Sequence, residues 1–325
     1  MALNYFFFIL FSILIFFQFL FIITKIKFPI IFYDIPNSRS SHSTNILKIG
    51  GLIIFLNFYF LSFFFIENSS IKHILFLSIF IFLVSLFDDF FDIPIYLRLL
   101  IHFVISGILI YLLNFDHLLI SFFFLISLVW ITNLYNFMDG INGLSAFMLI
   151  FGLTPMAYVA YIYGNFDLSN HLFLLVFLFF PFLYFNFLKN KIFLGDAGSV
   201  TTGFIVGAVG LYGWRNGFWP IWFPTILFSI FGADATLTVI LRIIYKKNPF
   251  VAHRTYFFHK LIDLGFTKNI ISLYYAFSMM LSSILCLILL RCSMGTIYIS
   301  ISIYLLFLLS ILVFIHLKWL KLDLK

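Results

Sequence analysis

The chain is written in long apolar blocks cut by short polar ones. Runs of Phe, Ile and Leu reach toward the ~20 residues that an α-helix needs to cross hydrocarbon, and they recur from end to end. Eleven candidate spans can be marked, at about 5–23, 50–66, 74–87, 97–113, 118–132, 143–163, 171–188, 200–213, 217–238, 270–290 and 296–316. Gly and Pro at 203, 207, 210, 220 and 224 do not argue against helix, since both are tolerated in membrane spans. The pattern predicts an all-α, polytopic integral membrane protein with about 11 transmembrane helices. The first apolar run has no basic stretch before it and no small-residue cleavage site, so it reads as a retained span rather than a signal peptide. The longest polar stretches reach only about 25 residues, short of the ~40 that an independent domain needs. Residues 1–325 therefore read as a single transmembrane domain.

Charge orients these spans. Lys and Arg near span ends concentrate on the cytoplasmic side. With the N-terminus outside, sixteen of the 19 basic residues fall inside, and only Lys72, Arg215 and Arg291 fall outside. The expected topology is N-terminus outside and C-terminus cytoplasmic. The net charge of +7 is then a matter of topology, and no nucleic acid is expected. Composition agrees: 64% of residues are hydrophobic and 10% charged, against about 25% charged in average soluble domains. The 51 Phe read as a lipid-compatible bias, and Cys286 and Cys292 offer neither metal spacing nor a disulfide framework.

Acids are scarce, 12 in all, yet three stand together in "SLFDDFFDIP" as Asp88, Asp89 and Asp92. A carboxylate at the centre of a spanning helix costs roughly 2.5–3.5 kcal/mol. Sidedness moves this cluster out of the hydrocarbon. Asp88, Asp89, Asp92, Asp139 and Asp196 all fall at cytoplasmic span ends, and Asp234 falls near one. Five polar segments share that face: 34–52, 88–100, 133–145, 185–203 and 246–266. Taken singly, each has a bland reading as a boundary residue, a turn, a helix cap or a topology determinant. Together they suit phosphate chemistry with a divalent cation. Mg²⁺ takes hard oxygen ligands, usually one or two carboxylates plus phosphate oxygens and waters. Glycines before a span, as in "GDAGS", let backbone N–H groups approach a phosphate at a helix N-terminus. Arg and Lys neutralise what charge remains.

The stretches "DIPNSRSSH…GG", "DDFFDI…LR", "NLYNFMDGINGL", "FLGDAGS" and the "HR" loop ending at His259 resemble the polyprenyl-phosphate N-acetylhexosamine-1-phosphate transferases. These bacterial enzymes start lipid-linked O-antigen, teichoic acid and peptidoglycan precursors. The resemblance covers about 34–266 and is nearer the O-antigen-initiating branch than the pentapeptide-using one, whose triple-histidine signature is absent. It implies a UDP-N-acetylhexosamine donor, an undecaprenyl phosphate acceptor, Mg²⁺ or Mn²⁺, and an active site open to the cytoplasm of a bacterial inner membrane. By the same resemblance Asp196 and Asp139 are metal ligands, Asp139 is also the essential acid, and Asp88 and Asp89 are catalytic, handling metal and lipid phosphate. Asn186 matches a nucleotide-site asparagine. Arg39, His42, Arg98, Asn136, Asn142, His253, Arg254 and His259 complete the candidate substrate contacts. A homodimer is compatible with the sequence, which carries no mark of it.

The chain departs from the family pattern in three places. Asn142 stands where many members have a second acid, Tyr256 and Phe258 replace two histidines of the last loop, and the segment after His42 follows the pattern only loosely. Two chemical routes fit: direct attack by the lipid phosphate, which is favoured, or a covalent sugar-phosphoryl-aspartate on Asp88 or Asp89. The alternatives to an active transferase are a polytopic transporter and an inactive homologue. A transporter would be expected to hold its acids near the midplane, often on inverted repeats.

Overall fold

The computed structural model describes residues 2–36, 44–63, 69–248, 251 and 253–323. Its helices, in chain order, are α1 (Ala2–Ile23), α2 (Gly50–Phe63), α3 (Ser69–Phe91), α4 (Ile95–Leu113), α5 (Leu118–Met138), α6 (Leu144–Ile162) and α7 (Phe166–Leu183). They continue with α8 (Asp196–Arg215), α9 (Trp222–Leu227), α10 (Ser229–Ile244), α11 (Phe257–Asp263), α12 (Lys268–Leu289) and α13 (Met294–Asp323). Among the described residues, seven of them, α3 to α7, α12 and α13, are long and apolar enough to cross a membrane. Large apolar side chains such as Phe60, Tyr111, Leu118, Phe123 and Leu306 point outward. An apolar exterior of this extent is what lipid accepts and water does not. The chain is a polytopic, mostly helical membrane protein.

Helix α8 is the hub. Every residue from Ala197 to Gly213 is buried, as expected of a helix surrounded by others. It packs between α3 and α5, with α2 crossing near its start. Small residues allow these approaches. A Cβ on Gly51 would lie 2.2 Å from the Gly198 nitrogen, so α2 and α8 touch backbone to backbone. A Cβ on Gly203 would meet the Thr132 carbonyl of α5 at 2.7 Å. Helix α6 packs on α7 and α12 to form the second half of the bundle.

Three features differ from the expectation. The span expected at 217–238 is two helices, α9 and α10, that break at Phe228. The Phe228 ring occupies the space over Gly152 of α6, where a Cβ would come within 2.1 Å of it. An all-α chain also holds one short antiparallel pair, β1 (Tyr33–Asp34) with β2 (Ile46–Leu47). This pair is stitched to the segment before α8: Phe193 N donates to Leu47 O at 2.6 Å, and the Gly50 and Gly51 N–H groups donate to Phe193 O and Leu194 O. Finally, α3 runs four residues past the expected boundary at 87, so Asp88 and Asp89 lie in its last turn rather than beyond it.

Candidate active site

The ends of α3, α5 and α7 and the beginnings of α4 and α8 meet at one end of the bundle. Between them lies a cavity of about 620 Å³, within the ~300–1,000 Å³ usual for ligand sites. Eleven of the thirteen candidate residues line it: Asp88, Asp89, Arg98, Asn136, Asp139, Asn142, Asn186, Asp196, His253, Arg254 and His259. Arg39 and His42 lie outside the described residues.

The two adjacent aspartates face different partners. Asp88 is buried; it pairs with the Arg98 guanidinium and accepts the Ile93 N–H at 2.7 Å. Asp92 follows in the left-handed region, φ 48°, and turns the chain from α3 toward α4. That places Pro94 as the N-cap of α4 and Arg98 one turn into it. Arg98 also reaches Asp196 at 3.2 Å, so one guanidinium links two carboxylates from separate helices. Asp89 instead points at α8. Its Oδ1 accepts the Asp196 N–H at 3.1 Å and its Oδ2 the Ala197 N–H at 2.9 Å. The next two N–H groups, of Gly198 and Ser199, go to the Gly195 carbonyl. The glycine-led start of α8 was expected to cradle a phosphate; the protein's own carboxylate fills that role. The reason is the partial positive charge of a helix N-terminus, which Asp89 meets from a neighbouring helix.

Asp139 caps the C-terminal end of α5. The Ser145 hydroxyl donates to its Oδ1, and the Tyr135 hydroxyl ties the same turn to the Ser145 carbonyl at 2.5 Å. Among the described residues Asp139 has no ion pair. Burial, then the Asp89 charge, push its carboxyl up to about 7. Asn136 accepts from the Ser199 hydroxyl at 3.0 Å. Asn142 donates to Asn190. Asn186 sits in a single π-helical turn, Tyr184–Leu188, a feature that often marks functional sites. Its amide clamps two loops, accepting the Gly143 N–H at 2.6 Å and donating to Ile192 O at 2.8 Å.

His253 and His259 approach from the segment before and within α11. Burial, then Arg242, lower His253 to about 4; burial, then Arg254 and His253, lower His259 to about 3. Both are neutral rings near pH 7. His259 Nδ1 is buried without a hydrogen-bond partner among the described residues. Lys48 was missed as a site residue. It lines the cavity, and its ammonium donates to the Asp89 carbonyl. Nothing local in "NILKIGG" marks it, because its partner is 41 residues away.

Among the described residues no three His, Cys, Asp or Glu groups are placed to hold a metal by themselves. The donor chemistry nevertheless fits Mg²⁺, which takes one or two carboxylates and leaves its other positions to phosphate and water. Asp139, enclosed and lacking a cation, is a carboxylate that a divalent ion would keep ionised.

Hard oxygen donors, three cations and polar amides are enclosed at one end of an apolar bundle, a lining chemically suited to phosphates. Residues 71–213, the stretch from α3 through most of α8, match glycosyl transferase family 4. A probable undecaprenyl-phosphate N-acetylglucosaminyl 1-phosphate transferase of Bacillus subtilis is 28% identical over 144 residues, 44% of this chain and 40% of its own. An undecaprenyl-phosphate alpha-N-acetylglucosaminyl 1-phosphate transferase of Yersinia pestis is 27% identical over 278 residues, 77% of this chain and 75% of its own. A phospho-N-acetylmuramoyl-pentapeptide-transferase of Streptococcus pneumoniae is 29% identical over 93 residues, 28% of each chain. The long matches favour a transferase over the transporter and inactive alternatives.

Proposed function

We propose that this protein transfers an N-acetylhexosamine 1-phosphate from a UDP-sugar to undecaprenyl phosphate, giving undecaprenyl-diphosphate-sugar and UMP. N-acetylglucosamine is the first candidate sugar, following the names of the relatives. The observation that carries this reading is the meeting of three separate polar segments, at Asp88–Arg98, Asn136–Asn142 and Asp196, around one cavity. The proposed orientation puts that cavity at the cytoplasmic face of a bacterial inner membrane, with the N-terminus outside. The segregation of basic residues supports it. Helices α1, α2, α8 and the α9–α10 pair would complete about eleven crossings beside the seven long apolar ones.

In the proposed reaction an oxygen of the lipid phosphate attacks the sugar-bearing phosphorus. The bond from that phosphorus to the UMP oxygen breaks, and UMP leaves with the electron pair. Phosphoryl transfer is mostly positioning and charge stabilisation. Lys48, Arg98 and Arg254 supply positive charge around the cavity. The lipid phosphate, with a second pKa near 6 by analogy with phosphorylated side chains, needs little help from a base. Asp139 and Asp196, with the amide oxygens of Asn136 or Asn142, would hold Mg²⁺. When bound, the ion neutralises diphosphate charge that otherwise repels the acceptor. Asp88 and Asp89 orient Arg98 and α8 respectively.

The test is transfer of label from a panel of UDP-N-acetylhexosamines into butanol-soluble lipid, using purified protein, undecaprenyl phosphate and Mg²⁺. Lipid product that is lost on chelation and restored by added Mg²⁺ is expected. No product from any sugar nucleotide would overturn the reading.

A further inference from the structure

Asp234, in the middle of α10, takes no part in the chemistry above and is fully buried. A buried carboxylate is costly unless hydrogen bonds satisfy it. Here four donors converge. The Phe257 N–H donates to Oδ1 at 2.7 Å, and the Phe258 N–H to Oδ2 at 3.2 Å. The Tyr275 hydroxyl of α12 donates to Oδ2 at 2.5 Å, and the Thr238 hydroxyl lies 3.4 Å from Oδ1. The first N–H groups of any helix lack partners within it. Helix α11 has no side-chain cap of its own at Tyr256. Asp234 caps it from another helix.

What α11 carries makes this consequential. The Phe258 ring lies against Gly140, where a Cβ would come within 2.5 Å of it. Gly140 follows Asp139 directly. Phe258 also stacks on Tyr256, 5.7 Å between centroids and 6° between planes, and Tyr256 stacks on Phe137 at the end of α5. His259, the next residue, lines the cavity. The start of α11 thus backs the Asp139–Gly140 turn and aims a ring into the site.

We propose that Asp234 is a positioning residue: it holds α11 against the Asp139–Gly140 turn, so that Phe258 supports the turn and His259 faces the cavity. Its kinetic consequence rests on the transferase reading. Asparagine is no substitute, because its NH₂ would face a donor where the carboxylate accepts one.

The full chain in detergent, as Asp234→Asn, Asp234→Glu and Tyr275→Phe, tests this. In Asp234→Asn, amide exchange across 257–263 should quicken by about tenfold or more while α5 and α8 stay protected. KM for the UDP-sugar should rise about tenfold, with kcat changing by less than about threefold. Asp234→Glu should recover part of both effects, and Tyr275→Phe, which leaves both backbone bonds, should stay near wild type. Unchanged exchange at 257–263, equal loosening of α5 and α8, or an unchanged KM would each overturn the proposal. If Asp234→Asn fails to insert, Phe258→Leu decides: it should raise KM with the cap still protected, and an unchanged KM would overturn the proposal. Failure of the transferase reading would appear separately, as wild-type protein without lipid product, while exchange still reports on α11.

Discussion

Both carboxylate oxygens of Asp89 are engaged by the first two N–H groups of α8, those of Asp196 and Ala197, at 3.1 and 2.9 Å. The end of α3 is therefore fixed to the start of α8 by a helix cap supplied in trans. A carboxylate so occupied is held back from attacking phosphorus, and this favours direct attack by the lipid phosphate.

Asp89→Ala should destabilise the protein by about 0.5–2 kcal/mol, as loss of a helix cap does, and should depress turnover by displacing Asp196. Asp89→Asn should be milder in stability, since its amide oxygen still accepts one N–H. In wild type, initial-rate patterns should be sequential, and UMP should not be released without acceptor lipid. Ping-pong kinetics would restore the covalent route.

Asp139→Asn and Asp196→Asn should each lower turnover by about 100-fold or more, while the proteins still insert and elute as wild type. Their side chains face the cavity rather than the hydrophobic core, so folding does not depend on their charge. Near-wild-type lipid product in either variant would sink the assignment. Asp92→Asn should cost little, because Asp92 is exposed at the rim.

Asn142→Asp should leave activity unchanged or raised. Asn142 donates to Asn190; Asn190 can turn its own amide to donate to the new carboxylate. A large loss would mean that the asparagine has a role of its own.

Acid should loosen the wall formed by His253 and His259. Both are held below the ordinary histidine value of about 6.5 in the fold. The unfolded chain therefore takes up protons first, and stability falls as pH drops through 6.5 toward the folded values. The Asp139 carboxyl, raised to about 7, gains stability as pH falls over the same range, so the histidine contribution is read as a difference. In thermal melts in detergent, the Tm of wild type should drop between pH 7.5 and pH 5.5 relative to that of a double His253→Gln, His259→Gln variant, and parallel Tm profiles would overturn the expectation.

The length of the apolar blocks was enough to place the long helices, though not the α9–α10 break or α11, and the polar segments between them named residues that line the cavity. What stayed illegible depends on distant partners. The Phe228 ring at the α9–α10 break is seated over Gly152, 76 residues earlier in the chain. Asp89 looks like its neighbour Asp88 in sequence, yet their separate roles are set by residues 196–197 and by Arg98. Asn186 was nominated by resemblance alone; that it clamps Gly143 to Ile192 needed three loops in place. Asp234 could be placed near the cytoplasmic rim but not given a partner, because α11 is seven residues long and carries little periodic signal.

The contact between Gly51 and Gly198 has a mechanical consequence. Where α2 meets α8 there is no side chain to rotate and no gap to close, so that wall acts as an anvil. A side chain at either glycine would drive α2 off α8 and displace the helix start that presents Asp196 to the cavity.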